Sequence, residues 1–162
     1  MKGDDTAVGF TAGILWLPLP GTSIGLGFRS SIDHNLEGTL QVVGAPPTRA
    51  AIEAGVETPE TVTLSVRQLL TPQWTALARV EWTNWSRLDQ LDVECRTAGA
   101  LCATGDIPVS IPPGWHDGWF FSLGAEYAWS PLLTLRGGVA YEISPIRNAD
   151  ERTPRVPDAD RI

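Results

Sequence analysis

The sequence predicts an all-β protein, an antiparallel meander of about six transmembrane strands that forms part of a larger bacterial outer-membrane β-barrel. Three observations support this fold class. Apolar and polar residues alternate with a period of two in six segments, and helical periodicity is nearly absent. Short and long connections alternate between these segments. Tryptophan is abundant, with seven copies in 162 residues, and tryptophan concentrates at membrane interfaces.

Composition does not by itself identify a membrane protein. The mean hydropathy is close to zero and the net charge is −7. No apolar run approaches the roughly 20 residues that a spanning helix needs. Mean hydropathy does not detect a barrel either, because apolar lipid-facing residues and polar lumen-facing residues alternate along its strands. The acidic balance disfavours nucleic acid as a partner, since phosphate binding needs clustered positive charge.

The first two predicted strands alternate most clearly. The first runs from about Val8 to Leu17, and a proline-containing turn follows at residues 18–22. The second runs from Ser23 to Glu37, with small and charged residues on its polar face. The apolar residues of the two strands are Val8, Phe10, Ala12, Ile14, Trp16, Ile24, Leu26, Phe28, Ile32 and Leu36.

The third and fourth predicted strands follow a loop from Gly44 to Pro59. In the third strand, Val62, Leu64 and Val66 face away from Thr61, Thr63, Ser65 and Arg67. A tight turn at residues 71–73 leads to the fourth strand, which ends at Thr83 and in which Leu77 interrupts the polar face. The apolar residues of the fourth strand are Trp74, Ala76, Ala78, Val80 and Trp82.

The last two predicted strands follow a second long loop, from Val93 to His116. The fifth strand alternates from Trp119 to Trp129, and a turn at Ser130-Pro131 precedes the sixth strand. The sixth strand alternates from Leu133 to Ile143, and the tail at residues 144–162 is polar and proline-rich. Because connections alternate in length, we expect the chain to enter and leave the barrel on the extracellular side.

A soluble sheet with one wet face is the alternative to a membrane barrel. Two details favour the membrane. The apolar faces end in aromatic residues, as interfacial girdles do; these are Trp16, Trp74, Trp119, Trp129 and Tyr141. The opposite faces carry isolated charges among small residues, which suits a lumen wall.

Several motifs, in order along the chain, resemble the FadL-type transporters of the outer membrane. They include Lys2-Gly3-Asp4-Asp5, Phe28-Arg29-Ser30, the segment Glu81–Ser86, Arg136-Gly137-Gly138 and the segment Val156–Arg161. The resemblance implies passive uptake of long-chain fatty acids or other hydrophobic compounds, with no enzymatic activity and no cofactor. It also implies a monomeric, fourteen-stranded barrel in outer-membrane lipid, closed by an N-terminal hatch.

The first ten residues contain no apolar signal-peptide core. We therefore expect the signal peptide to lie outside this chain. The resemblance implies that the hatch and the remaining strands also lie outside it, so that residues 1–162 form one partial barrel domain. The function alternative that stays open is a soluble or secreted β-sheet binding module.

Candidate substrate-binding residues lie on the predicted lumen faces. Arginines could hold a carboxylate through charge-assisted hydrogen bonds; the candidates are Arg29, Arg67, Arg79, Arg136 and Arg161. Alternatively, these arginines pair with acidic residues of the wall, namely Asp33, Glu37, Glu81, Glu126 and Glu142. Leu77, Trp85 and Phe120 are apolar on the same faces, and they either line a pocket or pack on the hatch.

Other chemistry has little support in the sequence. Cys95 and Cys102 share one long loop, and a local disulfide is favoured over two free thiols because exported cysteines are oxidised. His34 and His116 lack the spacing of metal ligands, so no metal site is expected. A Ser-His site built from Ser30 and His34 is the remaining enzymatic alternative, and its spacing is ordinary.

Overall fold

The computed structural model describes residues 2–42, 48–88, 91–96, 109–111, 115–146 and 160–161. These residues form eleven β-strands and one short 3-10 helix, Trp85–Arg87. The strands are β1 Lys2–Asp4, β2 Thr11–Trp16, β3 Thr22–Arg29, β4 Ile32–Val42, β5 Thr48–Thr58, β6 Thr61–Leu69, β7 Trp74–Thr83, β8 Leu91–Cys95, β9 Val109–Ile111, β10 Gly118–Ser130 and β11 Leu133–Ile143. No helix in the described part of the chain has the length and apolarity to span a membrane.

The six predicted strands form one antiparallel sheet in the order β11-β10-β7-β6-β3-β2. Its strands have between six and thirteen residues, close to the 9 to 11 residues that a tilted strand needs to cross a bilayer. Short turns join β2 to β3, β6 to β7 and β10 to β11 at one end of the sheet. The predicted all-β antiparallel fold is therefore confirmed.

The long connections contain a second sheet that the sequence reading missed. It has five strands in the order β1-β4-β5-β8-β9. The predicted loop from Gly44 to Pro59 was wrong for Thr48–Thr58, which form β5; residues 43–47 lie outside the described residues. The predicted second strand, Ser23 to Glu37, is interrupted at Ser30-Ser31 and continues as β4. Parts of the predicted second loop form β8 and β9.

The register of the six-stranded sheet aligns residues of one kind on each face. One row runs through Phe28, Val62, Trp82, Trp119 and Ile143. The adjacent row, one residue along each strand, runs through Arg29, Thr61, Thr83 and Gly118. Because successive side chains of a strand point to opposite sides, the sheet has one apolar face and one polar face.

The apolar face is largely uncovered. Leu123 is 65% exposed and Val139 is 69% exposed although both lie mid-strand. Aromatic rings lie towards the ends of this face. Trp74 and Tyr127 are in contact at 4.6 Å between ring centroids near the short turns, and Trp119 stacks with Phe121 at 6.0 Å towards the other end. An exposed apolar band between two aromatic rims is typical of a lipid-facing barrel wall.

Gly21 closes the turn between β2 and β3. Its φ angle is +83°, in the left-handed region that L-residues enter at a cost. A Cβ at this position would lie 2.9 Å from the Cβ of Leu69. The Leu69 N–H donates a hydrogen bond of 2.7 Å to the Gly21 carbonyl oxygen, so the turn is tied to β6. Backbone conformation and space both require glycine here.

Gly21→Ala is expected to lower the free energy of unfolding of the full-length protein by about 1–2 kcal/mol, because it adds left-handed strain and a close contact. Urea titration of the protein in lipid vesicles measures this change. Gly55→Ala is the matched control, since no atom lies within 4 Å of its Cβ position, and it should change stability by less than about 0.5 kcal/mol. Equal effects of the two substitutions would contradict the role of Gly21.

Candidate functional site on the polar face

The polar face of the six-stranded sheet is lined by small residues with charged residues at intervals. Four of the predicted arginines lie on it: Arg29 on β3, Arg67 on β6, Arg79 on β7 and Arg136 on β11. The fifth, Arg161, forms an isolated antiparallel bridge with Glu142 at the edge of β11. The sheet thus brings the candidate arginines to one surface, as the alternation predicted.

Four of the five arginines contact a carboxylate. Arg136 Nε lies 2.7 Å from Glu126 Oε1, and Arg67 Nη2 lies 3.9 Å from Glu126 Oε2. Arg79 pairs with Glu81, which also accepts a 2.7 Å hydrogen bond from the Thr63 hydroxyl. Arg161 Nη2 lies 3.4 Å from Glu142 Oε2. Ion pairing within the wall therefore accounts for much of the charge on this face.

Three details depart from the predicted pairing. Asp33 and Glu37 lie on β4 in the five-stranded sheet, where Glu37 pairs with Arg96. Glu126 serves two arginines, and the second of them, Arg67, is held at the longer distance. Arg29 has neither an ion pair nor a hydrogen bond from its side chain within the described ranges.

Two of the three predicted apolar residues lie on the polar face. Phe120 is stacked under the guanidinium of Arg79, with the Cζ atom 5.7 Å from the ring centroid. Leu77 lines a groove between β6 and β10. Trp85 is not on a strand but in the 3-10 helix, 5.4 Å from the ring of Trp115 and 2.9 Å from the Cβ position of Gly118. It therefore covers the end of the polar face remote from the short turns.

A groove of about 630 Å³ runs across the middle of this face. Leu15 and Leu77 supply apolar side chains to it, and Ser23, Ser65 and Ser122 supply hydroxyl groups. Arg67 and Arg79 are the charged residues among those that line it. Sequence reasoning missed Leu15 and the three serines, although their alternation placed them on the polar face.

Polar contacts join the two sheets where their strands are interrupted. Arg87 in the 3-10 helix pairs with Glu57, and its Nε lies 2.6 Å from Glu60 Oε2. Asn84 donates a 2.8 Å hydrogen bond to Glu60 Oε1. Glu60 Oε2 receives no well-aligned hydrogen bond in the described part of the chain, so its contact with Arg87 is ionic. Partial burial alone would raise the pKa of Glu60, but the hydrogen bond from Asn84 and the charge of Arg87 outweigh burial and lower the pKa.

The remaining sequence predictions concern cysteine, histidine and serine. Cys95 is disulfide-bonded and buried against Ile52; Cys102, the other cysteine of the chain, lies outside the described residues. His34 Nδ1 is 2.8 Å from Asp5 Oδ2, and the Ser30 hydroxyl accepts a hydrogen bond from the Phe10 N–H. No group of three metal-ligating side chains occurs among the residues that the structure describes.

A two-faced antiparallel sheet with aromatic rims and a charged, grooved inner side defines part of the wall of an outer-membrane β-barrel. Comparison with known proteins agrees. Residues 1–162 match the family described as "Outer membrane protein transport protein (OMPP1/FadL/TodX)". The chain belongs to this family. Its members are transport proteins of the bacterial outer membrane rather than enzymes, so the predicted family and location are confirmed.

The matches to named relatives cover the whole chain. The long-chain fatty acid transport protein of Escherichia coli O6:H1 is 30% identical over 178 residues, which cover 100% of this chain and 38% of the relative. A putative outer membrane protein of Neisseria meningitidis is 24% identical, with the same coverage. The chain therefore spans about two fifths of the length of these relatives.

Solved structures show the same fold. The crystal structure of a FadL homologue from Pseudomonas aeruginosa matches with a TM-score of 0.84 at 26% identity, over 99% of this chain and 39% of that chain. A TodX mutant described as a monoaromatic hydrocarbon channel matches with a TM-score of 0.66 at 23% identity, over 86% of this chain and 35% of that chain. This second likeness supports the fold alone.

Glu60→Gln tests the junction between the sheets. The lowered pKa means that Glu60 stabilises the fold above its ordinary pKa of 4.5 and that this stabilisation is lost as the pH falls through the lowered value. The variant should be less stable than the wild type by about 1–2 kcal/mol at pH 7, and the difference should shrink below about pH 4. Urea titrations of the full-length protein across this range measure it.

Arg87→Gln is the companion variant, because it removes the cation and keeps the Glu60 carboxylate. It should reduce the same acid-sensitive stabilisation. A Glu60→Gln effect that is constant from pH 7 to pH 3 would show that the charge of Glu60 is not involved.

Proposed function

We propose that the protein to which this chain belongs lets hydrophobic compounds cross the outer membrane passively, through the interior of a closed barrel. The observation that carries this proposal is the two-faced sheet. Its apolar face suits lipid, and its polar face carries a groove with both leucine side chains and arginine guanidinium groups. On that face the hydrocarbon part of an amphiphilic compound can contact the leucine side chains, and its polar part can contact the guanidinium groups.

The names of relatives support the substrate class. One relative is a long-chain fatty acid transport protein, and the matching family is described as outer membrane transport proteins. We therefore propose long-chain fatty acids or other hydrophobic compounds as the substrates of the whole protein.

Passive movement is consistent with the construction of the wall. Each methylene group that contacts an apolar surface contributes at most about 0.8 kcal/mol. A wall rich in glycine, serine and alanine offers few such contacts, so a ligand is held weakly at each position. A concentration gradient then suffices to move it from one apolar contact to the next.

Closure of the barrel follows from the two sheet edges. In lipid, unpaired backbone N–H and C=O groups of an edge strand would cost several kcal/mol each. We propose that strands of the parent protein outside this chain pair with β2 and β11 and that the closed barrel is a monomer in outer-membrane lipid. The pairing of Arg161 with Glu142 is consistent with a further strand beside β11.

Uptake by living cells tests this proposal. A strain lacking the gene should take up radiolabelled oleate or toluene more slowly than the same strain carrying the full-length gene, because the barrel wall supplies the apolar contacts along which these compounds move. Leu77→Gln should slow uptake, since it removes an apolar side chain from the groove.

Thr134→Gln is the control for that substitution. Thr134 pairs with Ala128 in the ladder and does not line the groove. Gel mobility before and after boiling reports whether each variant folds as a barrel. Equal uptake of both compounds with and without the gene would refute the proposed function.

A further inference from the structure

We propose that the three short turns of the six-stranded sheet insert into the lipid leaflet at their end of the barrel and anchor the protein there. The turns are residues 17–21, 70–73 and 131–132. The surface that they contact is the boundary between lipid head groups and acyl chains. This inference goes beyond transport, because it concerns how the barrel is held in the membrane and not what passes through it.

The three turns share one composition. Trp16-Leu17-Pro18-Leu19 and Trp129-Ser130-Pro131-Leu132 have the same order of tryptophan, any residue, proline and leucine, and each lies where a strand enters a turn. The middle turn has the same three residue types in reverse order, from Leu70 through Pro72 to Trp74. Turns that are far apart in the sequence therefore place tryptophan, proline and leucine together at one end of the sheet.

A leucine at each turn is left uncovered by the rest of the described chain. Leu132 is 99% exposed, Leu19 is 67% exposed and Leu70 is 63% exposed. Single exposed leucines are common on protein surfaces, but the same feature at every turn of one edge indicates an interaction surface. Because transfer of apolar side chains out of water is favourable, this surface is suited to an apolar phase.

The apolar turns continue the lipid-facing side of the sheet. The Leu70 N–H donates a 2.9 Å hydrogen bond to the Trp74 carbonyl oxygen, so these residues close their hairpin as a pair. Trp74 contacts Tyr127, and the ring centroids of Tyr127 and Trp129 are 6.1 Å apart. Tryptophan and tyrosine in a membrane protein lie at the level of the lipid head groups. The leucines are next to these rings, so the same leaflet is within their reach.

Charge distinguishes this end of the sheet from the other end. Residues 16–24, 68–75 and 127–135 contain no Asp, Glu, Lys, Arg or His, although 19% of the chain is charged. The long connections, in contrast, contain ion pairs of Arg87 with Glu57 and of Arg96 with Glu37. Entry into a lipid leaflet costs a charged side chain its hydration but is favourable for leucine. The uncharged end is therefore the one that can insert.

The backbone of the turns is also suited to lipid, where an unpaired N–H group is costly. The Thr22 N–H donates to the Leu19 carbonyl oxygen at 3.0 Å. The Leu132 N–H donates to the Ser130 hydroxyl at 3.3 Å. Proline has no N–H group to satisfy, and four turn residues are prolines: Pro18, Pro20, Pro72 and Pro131.

Fluorescent labels at single introduced cysteines test the insertion in the full-length protein, reconstituted in phospholipid vesicles. Leu19→Cys and Leu132→Cys place an environment-sensitive label at two turns. Glu94→Cys, at an exposed position of β8, is the control in water, and the wild type treated with the same label gives the background.

The turn labels should emit at a shorter wavelength than the Glu94→Cys label. They should be quenched by lipids that carry a spin label about 5–10 Å below the head groups, the depth that interfacial side chains reach. They should also be protected from iodide supplied on both sides of the membrane.

A double variant tests the leucine side chains themselves. Leu19→Ser/Leu132→Ser keeps the prolines and tryptophans, and it should lower the urea midpoint of unfolding in vesicles because apolar contact with lipid is lost. Gln73→Ser, at an exposed polar position of the middle turn, is the matched control and should leave the midpoint unchanged. Gel mobility before and after boiling reports whether each variant forms a barrel.

Each contrary result has a defined meaning. Turn labels that iodide reaches as easily as the Glu94→Cys label would overturn the insertion and leave the leucines as a surface for a protein partner in the periplasm. Protection from iodide without quenching by the lipid label would show that another part of the protein covers the leucines, and it would overturn the insertion as well. Neither result would change the uptake expected of the full-length gene, so the proposed function is tested separately.

Discussion

The structure depends on one constraint, which is that backbone N–H and C=O groups inside a lipid bilayer must be hydrogen-bonded to other backbone groups. The six-stranded sheet meets this constraint with continuous antiparallel ladders. The pairing of β10 with β7 runs without a shift from Gly118–Thr83 to Tyr127–Trp74. A continuous ladder fixes the register, and the register fixes which face each side chain occupies, since a slip of one residue would exchange the two faces.

The same constraint explains where the strands are interrupted. Breaks at Ser30-Ser31 and at Pro59-Glu60 lie beyond the aromatic rim, at the end remote from the short turns. Backbone groups there can be satisfied by side chains, as when the Ile32 N–H donates to the Thr58 hydroxyl. The chain can then change direction and form the five-stranded sheet, and Glu60 and Arg87 bridge the region where the ladders are discontinuous.

Much of this fold could be predicted because each strand of a barrel wall must present apolar side chains to the lipid and polar or small side chains to the lumen. Apolar and polar residues therefore alternate along the strand. Every strand of the six-stranded sheet was found from its period of two. β5 was missed because Ala50 and Ala54 are two of the four apolar residues on one face and Ala51 lies on the other face, and because Pro59 follows the strand. Small residues at alternate positions give a weak period, and proline normally signals a loop.

The sequence could predict which residues form the candidate site, but it could not predict which of their side chains are in contact. Alternation placed Arg67, Arg79 and Leu77 on one face. The contact between Arg67 and Glu126 could not be inferred, because these residues lie on β6 and β10 with β7 between them. That contact depends on strand order and on the diagonal reach of long side chains, neither of which a sequence periodicity contains.

The acidic charge of the chain does not oppose an anionic ligand on the polar face. Many carboxylates belong to the five-stranded sheet and its junction, where Glu37, Glu53 and Glu60 are each paired with arginine. At physiological ionic strength, charges in solvent are screened over about 8 Å, whereas a guanidinium at hydrogen-bonding distance acts almost unscreened. The electrostatic interaction of a bound ligand is therefore determined mainly by the nearest charged side chains. In the groove those are Arg67 and Arg79, and each of them contacts a carboxylate just outside the lining, Glu126 for Arg67 and Glu81 for Arg79.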